Sequence, residues 1–510
     1  MTGRFGWVLP MQKFGWCVAA LLAVCIVGCG GSEYLFPGHR PKPAVTSVTV
    51  TCSPTSVNSQ QTSQCSAKVV VTGSPNTSVA WKATAGQISS SGLFTAPAEP
   101  GQTSVTITAT SNWDPSKSGT ATVIVNPTET MGNVAPIVVD AGPAPQSFIT
   151  ANVGFVTVTV CSPGTNNCQT IDHVLADTGS SGLRLLSSAS GGEFSLSLPN
   201  ETDSSGNPLL ECAVFGGGYT WGNVATADIT VAGEMAPAAP VQVVIPSTSS
   251  PAVPSSCSSQ TTQPNMGDSV MALGANGIIG VGLFQHDCGS ACTPGSGKIP
   301  PVYYGCPSSR CSPTSVPLAQ QVPNPVTLFA ADNNGVLIEL PAVPNGGSLN
   351  PTGSLIFGIG TQSNNGLGSA TVYTVPDSGT NAGFITTTFA GKSYPVAFID
   401  SGSNGLFFLD PKTTGIPTCA APDNIWYCPR TSPDNLSAVN QGSNGNKGTV
   451  NFSVEDATTL FNSNNTAFST LGAPLPNVFD FGLPFFYGRQ MFTAIDTMST
   501  PGGPGPNFAY

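Results

Sequence analysis

Two aspartates stand out because related segments deliver them. Residues 174–186 read Val-Leu-Ala-Asp-Thr-Gly-Ser-Ser-Gly-Leu-Arg-Leu-Leu around Asp177, and residues 397–409 read Ala-Phe-Ile-Asp-Ser-Gly-Ser-Asn-Gly-Leu-Phe-Phe-Leu around Asp400. From each Asp onward, Asp, Gly, Ser, Gly, Leu and Leu recur at matching positions. An apolar run enters each Asp-(Thr/Ser)-Gly-Ser turn and another leaves it. One such turn alone is ordinary. The same carboxylate delivered twice, 223 positions apart, points to a duplicated, two-lobed fold with one Asp per lobe. Carboxyl groups brought close cannot both ionise, so the pair would share one proton and act as acid and base together. Gly179 and Gly402 suit the tight turn that bears each Asp, and Ser180 and Ser403 can hydrogen-bond to the carboxylates.

Competing chemistries fit less well. The three histidines, His39, His173 and His286, are accompanied by no Gly-x-Ser-x-Gly elbow, which argues against a serine hydrolase. His173 precedes Asp177 along a strand-like run and reads as lobe packing or surface. A glycosidase needs a carboxylate pair but not a repeated Asp-(Thr/Ser)-Gly-Ser. No glycine-rich loop runs into a Lys, and no metal site or cofactor motif is visible. With a formal charge of −11 and scattered basic residues, the chain offers no nucleic-acid surface.

The elements that must position the two turns are strands. Only 8% of the 510 residues are charged, and 58 Gly and 46 Pro punctuate many short β-rich runs, so an all-β extracytoplasmic protein is expected. A 40% hydrophobic content is enough for true cores rather than disorder. Residues 11–29 form a short basic start and an apolar run too short to span a membrane comfortably, and read as a secretory signal. Residues 30–43 form a tether. Residues 44–126 alternate as strands at 45–52, 63–71, 79–83, 87–94, 104–110 and 119–125, with no clustered reactive side chains, and suit a spacer or adhesive module. Residues 127–134 make the next linker.

Twelve cysteines follow Cys29, an even number that predicts a disulfide framework in an exported chain. Connectivity is open in principle, with on the order of ten thousand pairings. Short-range closure favours Cys52 with Cys65, Cys161 with Cys168, Cys288 with Cys292, Cys306 with Cys311 and Cys419 with Cys428, leaving Cys212 with Cys257. Zinc is disfavoured because 285–311 lacks the paired two-residue spacings of a zinc ribbon.

Four resemblances add to this reading. The twin Asp motifs resemble the active-site loops of pepsin-like aspartic proteases, in which two β-barrel lobes each bring one Asp to a shared cleft and hold a water between them. That resemblance implies catalytic roles for Asp177 and Asp400, supported by Thr178, Gly179, Ser180, Ser401, Gly402 and Ser403. Further landmarks follow in family order. Residues 215–222, with Phe215, Gly216, Gly218, Tyr219 and Trp221, resemble the flap hairpin. Residues 276–280 resemble the element crossing behind the first Asp, 353–358 the strand opening the second lobe, and 478–496 its closing strands. The lobes would span 135–345 and 346–510. Residues 86–97 resemble a stretch of bacterial immunoglobulin-like domains, implying a small β-sandwich over 44–126. Ile26-Val27-Gly28-Cys29 resembles a bacterial lipobox, implying a signal peptide at 1–28, lipidation of Cys29 and attachment to the cell envelope through lipid alone. The arrangement as a whole resembles a family of bacterial surface lipoproteins of unknown function.

Several positions depart from the pepsin-like pattern. Phe215 stands where the flap Tyr is usual and Arg184 where its Trp partner is usual, a paired change expected to remove their contact without stranding a buried polar group. Tyr219 or Trp221 offers another route to flap closure. Asp480 occupies an apolar position beside Gly482, directed either to solvent or toward the dyad. Between 30 and 134 only Arg40, Lys42, Lys68, Lys82 and Lys117 are basic and they are dispersed, unlike a basic prosegment, so no zymogen is expected. Two functions remain: a monomeric, cofactor-free, metal-free endopeptidase acting on peptide or protein substrates, or a non-catalytic surface binding or adhesion lipoprotein using the same cleft as a groove. The lipobox has its own test. Labelled palmitate fed to expressing bacteria should enter the wild type and not Cys29→Ala, and equal labelling would refute the anchor.

Overall fold

The computed structural model describes residues 42–58, 61–97, 103–126, 132–143, 151–261, 267–308 and 310–510. The expected signal segment, Cys29 and all of the expected tether but its last two positions lie outside the described residues. The chain divides into two compact units, Met1–Glu129 and Thr130–Tyr510.

In the first unit two four-stranded sheets share one apolar core. Strand Thr103–Ser111 shows why: Val105, Ile107 and Ala109 alternate with Thr and Ser, so the period of two buries one face and exposes the other. Cys52 and Cys65 sit directly opposite each other in the antiparallel pair Ala44–Ser53 and Thr62–Thr72, and are joined by a disulfide. One expectation is corrected. The single strand over 87–94 is a tight hairpin, Gln87–Ile88 against Leu93–Thr95, because Gly92 adopts φ +84° and donates its N–H to the Ser89 carbonyl.

The second unit is all-β and two-lobed. Strands Phe155–Cys161, Cys168–Asp177, Ser181–Leu186, Leu209–Phe215, Gly218–Val231, Glu234–Val244 and Gly277–Val281 build the first lobe. A seven-stranded sheet that includes Lys392–Ile399, Leu406–Leu409 and Leu475–Phe481 builds the second. Between them Val134–Val138, Thr352–Phe357, Gly335–Glu339, Gln490–Ala494 and Asn507–Ala509 pair in that order and join the first lobe's sheet through Phe155. One apolar core runs through both lobes.

The repeated sequence corresponds to a repeated topology. Cys168–Asp177 ends at Asp177 and turns into Ser181–Leu186, while Gly277–Val281 inserts between them, parallel to the first and antiparallel to the second. Lys392–Ile399 leads into Asp400 and turns into Leu406–Leu409, and Leu475–Phe481 inserts in the same way. Both crossing strands run into glycine where the Asp loop comes close. A Cβ on Gly280 would lie 2.6 Å from the Ser181 nitrogen, and one on Gly482 2.3 Å from the Gly405 carbonyl and 2.4 Å from that of Ser403. Those neighbours are backbone and cannot swing aside. Gly482→Ala should therefore destabilise the protein by about 1–3 kcal/mol, read as a lower urea midpoint at unchanged slope. An unchanged midpoint would mean that this approach is not tight.

Candidate active site

Each Asp sits at the end of a buried strand and its own turn supplies its hydrogen bonds. The Gly179 N–H donates to Asp177 Oδ1 at 2.7 Å and the Ser180 hydroxyl to Asp177 Oδ2 at 2.5 Å. In the second lobe the Gly402 N–H donates to Asp400 Oδ1 at 2.7 Å and the Ser403 hydroxyl to Asp400 Oδ2 at 2.8 Å. Donors aimed at both oxygens of each group hold its orientation.

The two turns then clasp each other. The Thr178 N–H donates to Ser401 Oγ at 3.0 Å, the Ser401 N–H donates to Thr178 Oγ1 at 2.9 Å, and the Ser401 hydroxyl donates to the Ala176 carbonyl at 2.7 Å. Thr178 and Ser401 are both buried. This reciprocal pair brings each glycine against the opposite carboxyl: a Cβ on Gly179 would lie 2.6 Å from Asp400 Cγ, and one on Gly402 2.5 Å from Asp177 Oδ1. All eight dyad residues named from the sequence are thus in one cluster. Burial, followed by the charge of Asp177 and then that of Asp480, pushes the Asp400 carboxyl well above the usual carboxylate range. Two facing carboxyls with a proton retained on one can take a proton from water while giving one to an oxygen.

A third carboxyl stands behind the dyad. Asp480 is only 7% exposed, so the solvent-facing alternative is excluded. Burial raises it to about 8, with the nearby Ser403 hydroxyl opposing the shift and the charge of Asp177 adding to it.

The flap segment is a hairpin, Leu209–Phe215 against Gly218–Val231, with Gly216 and Gly217 exposed at its tip. Two expectations about it are corrected. Phe215 and Arg184 keep a contact, because the guanidinium lies 5.5 Å from the Phe215 ring centroid in a cation–π arrangement. Polar groups are also left over, since Arg184 is 3% exposed and its Nε and Glu211 Oε2 have no partner. Tyr219 and Trp221 are not free to close a groove. They pack with Leu210, Tyr304 and the Cys212–Cys257 disulfide, and the Trp221 indole N–H donates to the Pro251 carbonyl at 3.1 Å.

Sequence reasoning missed what surrounds Arg184. Its Nη2 meets Glu211 Oε1 at 2.5 Å and Asp287 Oδ2 at 3.6 Å, and its Nη1 donates to the Ser181 carbonyl at 2.7 Å. The Tyr303 hydroxyl donates to the Asp287 carboxyl at 2.8 Å and accepts the Val322 N–H at 2.6 Å. Burial first, then Glu211, pushes Asp287 well above the usual range. The available signal was Glu211 itself, a charge inside the apolar run Leu-Leu-Glu-Cys-Ala-Val.

His173 lies beside the site without joining it, paired with Asp140 at 3.2 Å and Asp172 at 3.1 Å and packed edge-on against Phe155. The twelve cysteines form six disulfides, Cys52–Cys65, Cys161–Cys168, Cys212–Cys257, Cys288–Cys292, Cys306–Cys311 and Cys419–Cys428. Among the described residues no three His, Cys, Asp or Glu side chains are grouped to hold a metal, and no helix is long and apolar enough to cross a membrane.

Fold and site together define a two-lobed, all-β protein with a paired-carboxyl centre. Residues 129–510 match the family model described as "Protein of unknown function (DUF3443)", and the chain belongs to that family. No curated protein matches it. Among solved structures, the aspartic proteinase from Irpex lacteus matches with 16% identity and a TM-score of 0.42, over 74% of this chain and 96% of that one.

The buried carboxyls make stability depend on pH in a defined direction. Unfolded Asp ionises near pH 4, whereas Asp480 in the folded state holds its proton to about pH 8. Within that window the folded protein binds protons that the unfolded chain has released, so the Asp480 contribution to stability declines as pH rises. Thermal melts of the wild type and Asp480→Asn should diverge across the window, the variant gaining relative to the wild type toward alkaline pH. Parallel melting curves would contradict the burial of an ionisable group there.

Proposed function

We propose that this chain is an aspartic endopeptidase of the bacterial cell envelope. The observation that carries the reading is the Thr178–Ser401 clasp, which holds Asp177 and Asp400 face to face with matched donors on each. With the shared proton on Asp400, Asp177 is the base that takes a proton from a water molecule as that water attacks the peptide carbonyl carbon. Asp400 gives its proton to the carbonyl oxygen, and the resulting gem-diol collapses with cleavage of the C–N bond as Asp177 passes the water-derived proton to the leaving amine and one gem-diol hydroxyl returns its proton to Asp400. Fixed positioning in a partly buried site supplies the orientation this chemistry needs. The substrate is a peptide or protein, and membrane attachment rests on the proposed lipid at Cys29.

The departures around the flap favour a second reading, in which the cleft is a binding groove without turnover. Arg184 stacked on Phe215 gives the flap base a cationic anchor in place of the neutral contact usual in pepsin-like enzymes.

The two readings separate on one experiment. A soluble form spanning 44–510 should cleave unfolded protein at mildly acidic pH and be blocked by pepstatin-type inhibitors. Asp177→Asn and Asp400→Asn should each lower kcat by at least about 10²–10⁴-fold, and the double variant should be no worse than either single one, as for groups acting as a unit. If peptide libraries show no cleavage that depends on both residues, the binding groove is left as the function.

A further inference from the structure

The two lobes repeat the strand that leaves each Asp turn but differ sharply at one position on it. Arg184 and Phe407 each follow their Asp by seven residues (184 − 177 and 407 − 400). Strand register agrees, pairing Arg184 with Ile278 and Phe407 with Asp480 in the two crossing strands. Phe407 packs its ring near Trp426, at a centroid separation of 5.7 Å. The backbone at this position therefore accepts an aromatic side chain and calls for no charge. In the first lobe it carries a buried guanidinium, and Arg184 Nε and Glu211 Oε2 are buried without hydrogen-bond partners. A buried ion pair left in that state offers little or no stability over apolar side chains of similar volume. Packing does not account for Arg184.

What the guanidinium touches does. Its Nη1 donates to the Ser181 carbonyl at 2.7 Å, at the start of the strand leaving the Asp177 turn. Its Nη2 donates to Glu211 Oε1 at 2.5 Å, and its central carbon lies over the Phe215 ring. Glu211 and Phe215 are four residues apart on the first flap strand, so both project from the same face of it. The backbone of Glu211 is held as well. Gln242 Nε2 donates to the Glu211 carbonyl at 2.8 Å, and Gln242 Oε1 accepts the hydroxyl of Thr220 on the second flap strand at 2.6 Å. Gln242 and Thr220 are both buried. The tip is different: Gly216 and Gly217 are exposed, and a Cβ on either would meet nothing within 4 Å. The hairpin thus has a pinned base and an unencumbered tip.

We propose that Arg184 is the positioning residue of the flap, tying Glu211 and Phe215 at its base to the Ser181 carbonyl beside the Asp177 turn. The flap base then keeps a fixed height above the dyad, and movement over the cleft is confined to the tip. A guanidinium suits this task because its separate N–H groups serve the two oxygens while its flat face meets the ring. Asp287 backs it from behind, 3.6 Å from Nη2 and itself held by the Tyr303 hydroxyl at 2.8 Å. A peptide lying under the tip would meet the two carboxyls at a reproducible depth, which is the orientation that their chemistry needs.

As a role in turnover the proposal rests on the peptidase reading above; as a statement about the hairpin it does not. The test separates positioning from stability. Arg184→Leu alone strands the Glu211 carboxyl, whereas Arg184→Leu with Glu211→Leu removes both partners and should melt higher than the single variant. Hydrogen-exchange mass spectrometry of the full-length double variant should nonetheless show amides 212–220 exchanging at least about tenfold faster than in the wild type. Its kcat should fall about 10–100-fold with a smaller change in KM. Slow exchange at 212–220 and wild-type kcat in the double variant would reduce Arg184 to packing and overturn the proposal. Arg184→Lys carries the test should the double variant fail to fold. Lysine keeps a charge opposite Glu211 but gives up the planar fork and the stacking face, so exchange at 212–220 should again accelerate. Wild-type exchange in Arg184→Lys would equally overturn the proposal. If the wild type cleaves peptides while exchange is unaffected by these changes, the positioning role fails and the peptidase reading stands. If cleavage is absent but exchange accelerates as described, the peptidase reading fails and Arg184 remains the residue that sets the hairpin.

Discussion

Like charges held in contact are the constraint on which this molecule turns. Asp177 and Asp400 would repel if both were ionised, and a loosely held pair would relieve that repulsion by moving apart. The Thr178–Ser401 clasp prevents separation, because each residue's backbone N–H is satisfied by the other's hydroxyl. Breaking the clasp would leave two buried N–H groups without partners, a penalty of about 1–3 kcal/mol each. Separation being closed off, the remaining relief is to retain a proton, and that turns a structural conflict into a chemically useful pair.

The duplicated topology makes such a clasp possible. A reciprocal hydrogen-bonded exchange requires two turns of the same shape meeting about an approximate two-fold axis, and two copies of one strand–turn–strand unit supply them. The crossing strands fix the height of each turn, and their glycines allow the backbone approach. Beyond that frame the lobes diverge in side-chain chemistry. The second is filled by aromatic rings, with Phe479 near both Phe481 and Phe408 at centroid separations of 5.8 and 5.7 Å. The first carries a buried ionic network of Arg184, Glu211 and Asp287 behind its hairpin. Buried ion pairs of this kind offer little net stability over an apolar core but are very sensitive to loss of one partner, so the hairpin's seat is rigidly specified rather than adaptable.

Much of this was legible in the residues. The twin Asp turns, the strand that crosses behind each of them and the order of the landmarks are local patterns with a periodicity and a turn chemistry of their own. The hairpin within 87–94 was less legible, because its break depends on the positive φ of Gly92 and not on any interruption of the apolar alternation. The surroundings of Arg184 were legible only in the anomaly of Glu211, a charge inside an apolar run, and not in the partners it would find. Glu211, Asp287 and Tyr303 are distant in sequence, and only the fold brings them to one guanidinium. Asp480 was visible as an anomaly, yet its direction depended on which face of Leu475–Phe481 meets the core, a tertiary fact that a single polar residue between two phenylalanines does not announce.

The central claim is that Asp177 and Asp400 form one proton-sharing unit, and locating that proton tests it most directly. Neutron diffraction from deuterium-exchanged crystals at mildly acidic pH should reveal a single deuteron on the pair, carried on the Asp400 carboxyl and facing Asp177. Two deuterium-free carboxylates turned away from each other, or a deuteron on each, would contradict the account.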